Sequence, residues 1–181
     1  MKKLLVTLAA ALVSVSTFGQ GTILFNTHVV GQVDAPVSHG DGTGAGAGFN
    51  AQLFLVTAGS TYTALNPATT FRTTTSAAAA FYVQQPAGPV IVPTVAPGQQ
   101  ATLVMRVWFG AVGSSYDVAD CKGQSNPFTI TLGGVPPTGA PIPDAVLSGL
   151  QPFVLLSCIP EPSTMALGLL AAAALLYRRC K

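Results

Sequence analysis

Gln100-Ala-Thr-Leu-Val-Met-Arg-Val-Trp-Phe109 is the stretch that decides the fold class. Ala101, Leu103, Met105, Val107 and Phe109 fall on one face of an extended chain, and Thr102, Arg106 and Trp108 fall on the other. A period of two with apolar residues on one side predicts a half-buried strand. Phe128, Ile130 and Leu132, set against Thr129 and Thr131, repeat the pattern. Further short apolar runs lie at 22–30, 51–57, 69–75, 78–84, 90–95 and 151–157, separated by recurrent Gly and Pro. Between the two ends of the chain no segment shows a sustained helical period bounded by caps. The alanines at 77–80 are too few to stand as a helix, and strand or loop is expected there. About eight short strands with turns between them predict an all-β fold, an antiparallel β-sandwich or jelly-roll-like single domain over residues 20–158.

The charge of this body excludes some functions. The whole chain carries a formal +2, but residues 21–158 hold only Arg72, Arg106 and Lys122 against Asp34, Asp41, Asp117, Asp120 and Asp144. Three scattered cations do not make the basic footprint that displaces counterions from phosphate, so no nucleic-acid partner is expected. The body has no glutamate, which restricts any carboxylate pair to aspartates, and no Gly-x-Ser-x-Gly elbow occurs. Catalysis would need His28 or His39 to meet an aspartate in a pocket. No enzyme, cofactor or metal site is expected. The tract His39-Gly-Asp-Gly-Thr-Gly-Ala-Gly-Ala-Gly48 precedes a strand-like run rather than a helix, so it is expected to be a glycine-rich turn and not a phosphate cradle. Trp108 and Tyr116 are the candidate carbohydrate contacts, because planar rings stack on pyranose faces. An exposed platform near Trp108 is the feature that would identify a carbohydrate-binding module.

Both ends carry targeting features. Met1-Lys2-Lys3 is followed by an apolar run over residues 4–13 and then by small residues, with Thr17 and Gly19 at the −3 and −1 positions. This is the order of a cleaved signal peptide, residues 1–19. At the other end Pro160, Glu161 and Pro162 precede an uncharged run over residues 163–177, and Arg178, Arg179 and Lys181 follow. Glu161 is the only glutamate of the chain. Prolines on both sides hold it extended, the form in which a protease cleft engages a peptide. As a helix the apolar run would cover about 22 Å, short of a hydrocarbon core of about 30 Å, and positive flanks would keep its end cytoplasmic.

The Pro-Glu-Pro motif, apolar helix and basic end at 159–181 resemble the C-terminal sorting signal of the bacterial PEP-CTERM family. Gly21-Thr-Ile-Leu-Phe-Asn26 and Gln124-Ser-Asn-Pro-Phe-Thr-Ile130 are similar to recurring phrases in the bodies of that family. The resemblance implies export through the inner membrane, anchorage by the C-terminal helix, and processing by the membrane-embedded exosortase. It implies a place on the cell surface or in an extracellular matrix that contains polysaccharide, and carries over no catalytic residue. The expected role is structural or adhesive, with a carbohydrate-binding module as the alternative. On this topology Cys121 and Cys158 face an oxidising exterior, while Cys180 does not. A Cys121–Cys158 disulfide is the candidate pairing, two free thiols the other outcome.

Overall fold

The computed structural model describes residues 19–57, 61–73, 76–111 and 113–155. Over these the chain forms β1 (Gly21–Ile23), β2 (His28–Val29), β3 (Val33–Asp34), β4 (Val37–Ser38), β5 (Phe49–Thr57), β6 (Thr61–Ala64), β7 (Thr69–Thr70), β8 (Val90–Val92), β9 (Gln100–Phe109), β10 (Lys122–Gln124), β11 (Phe128–Thr131) and β12 (Phe153–Val154). The fold is mostly β, its pairings antiparallel apart from β4 with β12, and no α-helix occurs among the described residues. Nor is any helix there long and apolar enough to cross a membrane. The expected C-terminal helix, and all but Gly19 of the expected N-terminal signal, lie outside the described residues.

The alternation in β9 organises the main sheet. β9 pairs with β5 so that Leu55 faces Leu103, Leu53 faces Met105 and Ala51 faces Val107. These residues share one face, because directly opposed residues of an antiparallel pair point the same way. Both β10 and β11 line the far edge of β9, and both β6 and β7 line the far edge of β5. Three two-stranded pairs stand beside this sheet, β1 with β8, β2 with β3 and β4 with β12, and Ile23, Val33, Val37, Val90 and Val92 from them join its apolar cluster. One apolar cluster joins Leu53, Leu103, Met105 and Ile130 to Ile23, Phe25, Val37, Val92 and Leu147, most of them fully buried. β1 is enclosed on a second side, where Thr22 bridges to Gly133 and Ile23 to Ala145. Gly133 permits this approach, since a Cβ there would collide with the Pro143 carbonyl. At the end of the described residues, Leu155 lies over Gly123 of β10, where a Cβ would press on the leucine side chain.

Several expectations need correction. Among the described residues the runs at 69–75 and 151–157 yield the two-residue strands β7 and β12, and 22–30 breaks into β1 and β2. Residues 77–81 form a single 3-10 turn, which one turn's hydrogen bonds suffice to close. Phe109, placed on the core face by alternation, is 55% exposed. It ends β9 at the rim, where its ring packs on Phe49 at 5.2 Å and over Gly48. Nor is β9 half-buried. Val104 and Trp108 of the opposite face are covered as well, outside the main apolar cluster.

Candidate functional site

The outer face of the main sheet gathers residues far apart in sequence. Register places Gln52, Arg106 and Gln124 in one row across β5, β9 and β10, and Asn50, Trp108 and Lys122 in the next. Phe54 faces Val104, and Tyr62 of β6 stands opposite Val56 on the same side. The 110–121 connection folds back over this face. Trp108 is 3% exposed beneath it, and the indole Nε1–H donates to Ser114 Oγ at 3.0 Å. The exposed tryptophan platform that would have identified a carbohydrate-binding module is therefore not formed, because the following loop covers the ring. Tyr116 of that loop is half-buried and meets Trp108 edge-on at 6.3 Å.

Arg106 is the centre of the face. Its guanidinium lies 4.0 Å from the Tyr62 ring centroid, 4.7 Å from Tyr116 and 4.8 Å from Phe54. The Nε–H donates to Gln124 Oε1 at 2.9 Å. Lys122 lies 5.2 Å from the same Tyr116 ring, and its ammonium donates to the backbone oxygens of Tyr116 and Asp117 at 3.2 and 2.9 Å. Burial holds the Tyr116 hydroxyl above its ordinary pKa, and the Arg106 charge partly opposes that shift. Two of the three cations of the body thus share one aromatic cluster. Neither forms an ion pair with a carboxylate among the described residues.

Beside this cluster is a cleft of about 260 Å³ lined by Asn50, Gln52, Asn66, Ala68, Thr69, Thr70, Trp108, Gly113 and Ser114. No titratable carboxylate or imidazole lines it. The Asn50 amide nitrogen donates to Gly110 O at 2.9 Å, and that of Gln52 donates to Leu65 O at 3.1 Å and Asn66 Oδ1 at 3.2 Å. These bonds fix both amides and leave their carbonyl oxygens for another donor. The sequence singled out Trp108 and Tyr116 but not Tyr62, Arg106, Asn50 or Gln52, whose adjacency depends on strand register. Polar Asn50 and Gln52 alternating with Ala51, Leu53 and Leu55 were the available signal.

His28 does meet an aspartate. Its Nδ1 lies 3.4 Å from Asp34 Oδ1, at a groove of about 360 Å³ along the β2–β3 hairpin. The Tyr82 hydroxyl donates to the same Asp34 oxygen at 2.8 Å, and the Tyr82 ring packs against His28 at 4.6 Å, tilted by 41°. That hydrogen bond, with burial, raises the Tyr82 pKa above its ordinary value. Arg72 continues the network by donating to Asn26 Oδ1 at 3.1 Å. No serine, threonine or cysteine side chain is hydrogen-bonded to His28 among the described residues. The cluster ties the hairpin to the segment that follows the 3-10 turn.

The glycine tract forms a turn, as expected, with positive φ at Gly42, Gly46 and Gly48. Asp41 accepts from the Thr43 amide and hydroxyl at 2.9 and 2.6 Å, which holds its pKa below the ordinary range. His39 instead packs edge-on against Phe49. No group of three or more His, Cys, Asp or Glu suited to a metal occurs among the described residues. Cys121 is disulfide-bonded, and its partner lies outside the described residues. Cys158, Pro160, Glu161, Pro162, Arg178, Arg179 and Lys181 also lie outside them. No protein-family model, curated protein or solved structure matches the chain.

Proposed function

We propose that the protein is exported by its N-terminal signal, held in the inner membrane by its C-terminal helix, and processed near Pro160-Glu161-Pro162 by an exosortase-type enzyme. It then serves at the cell surface or in the extracellular matrix in a non-catalytic structural or adhesive role. The observation that carries this reading is the tail, where the chain's only glutamate stands between two prolines before an apolar run and a basic end. β1 begins at Gly21, directly after the expected cleavage point. The three small strand pairs, which share the apolar cluster of the main sheet, favour a sandwich-like body. Cys158 is proposed as the partner of the disulfide-bonded Cys121.

Intact mass with terminal peptide mapping, on protein recovered from membrane and extracellular fractions of the native host, tests the proposal. A mature form starting at Gln20, ending near Pro-Glu-Pro and lost on Glu161→Ala is the expected result. Persistence of the tail through Lys181 in a host that has the processing enzyme would show a simple anchor instead. The second reading, a carbohydrate-binding module, is favoured by the amide- and hydroxyl-lined cleft beside the Arg106 cluster.

A further inference from the structure

We infer that the outer face of the main sheet binds an acidic polysaccharide through a carboxylate-bearing sugar unit, with Arg106 as the anchor. The inference rests on the carbohydrate-binding reading and gives it a ligand class and a different set of contact residues. A guanidinium held by cation–π contacts spends none of its N–H donors on the rings. The rings of Tyr62, Tyr116 and Phe54 surround Arg106 at 4.0 to 4.8 Å, and Gln124 takes the Nε–H. The two terminal nitrogens have no hydrogen-bond partner among the described residues, and the side chain is half-buried rather than free in solvent. A fork held in this way is pre-organised for a bidentate carboxylate, and its rotamer entropy has already been lost before binding.

The neighbouring groups indicate what carries that carboxylate. Gln52, which lines the 260 Å³ cleft, is the cross-strand partner of Arg106, and such partners stand about 5 Å apart at Cβ. The cleft offers fixed amide oxygens from Asn50 and Gln52 and hydroxyls from Thr70 and Ser114, and brings no charge of its own. Neutral donors and acceptors of this kind suit the hydroxyls of a sugar ring, while the nearby Lys122 adds a second positive charge. A uronate unit presents both halves, a carboxylate for Arg106 and hydroxyls for the cleft.

The test is binding of the full chain, kept in nonionic detergent, to immobilised polygalacturonate, with dextran and dextran sulfate as comparisons. The expected result is retention on polygalacturonate, weakened by salt and absent on dextran. Arg106→Gln should weaken it by about tenfold or more, the worth of a charge-assisted hydrogen bond in a half-buried site. Arg106→Lys, which keeps the charge but loses the fork, should also lose most of the binding. Emission of Trp108, the only tryptophan, reports whether each variant keeps the face intact. Should Arg106→Gln disturb that emission, Arg106→Lys and Tyr62→Leu decide. Equal binding to dextran, stronger binding to dextran sulfate, no binding, or Arg106→Lys binding like the parent protein would each overturn the inference. Processing of the tail has no part in this assay, so a chain that is sorted but does not bind fails only here.

Discussion

Tyr82 joins three functions of a side chain in one place. Its ring packs against His28, its hydroxyl donates to Asp34, and Arg72 lies 5.8 Å from its ring centroid. Ionising the hydroxyl would abolish the donation and set two negative charges together. Because its folded pKa is raised above the ordinary 10.0, its stabilising contribution is present below pH of about 10 and lost as pH rises through the raised value. Thermal midpoints measured from neutral to strongly alkaline pH should fall, and Tyr82→Phe should flatten part of that fall at a cost of about 1 kcal/mol near neutrality. Tyr116 is shifted in the same direction by burial, so some alkaline loss should remain in the variant. Sequence pattern alone put Trp108 on the face opposite the core residues, correctly. It could not show that the ring is covered, because the cover comes from Ser114 and Tyr116 in a loop with no periodicity of its own.

At the scale of elements, β9 holds the fold together, since it pairs with β5 along one edge and with β10 and β11 along the other. Leu103 is fully buried at the middle of this strand, opposite Leu55 and Phe128. Leu103→Ala should lower the unfolding free energy by about 2–5 kcal/mol, measured by denaturant titration. A much smaller loss would mean that the two sides of the core close over the gap. The long strands β5 and β9 were legible because each carries enough alternation to define a face. The pairs β2–β3 and β4–β12 were not, because a two-residue strand has no period, and its pairing is set by the chain that brings it there. The same holds for the Arg106 cluster, built from five separate segments whose register no local pattern records.

For the molecule as a whole, the bond at Cys121 is the one covalent constraint identified on the described fold. Cys121 packs against the apolar cluster and immediately precedes β10. Reductant, or Cys121→Ser, should lower stability by about 2–4 kcal/mol, read as a shift of the denaturant midpoint against the oxidised protein. The first and last strands add a consequence of a different kind. β1, earliest in the chain, finds its neighbours in β8, Gly133 and Ala145, and β4 waits for β12. A chain delivered N-terminus first cannot complete either pairing until its final third is free. Its opening segment meets β8 at mid-chain but lacks Gly133 and Ala145 until later, so native pairing is slow to complete, as expected where distant contacts dominate. A deletion that removes β12 should therefore be felt first at Val37 and Ser38, more than a hundred residues earlier in the chain.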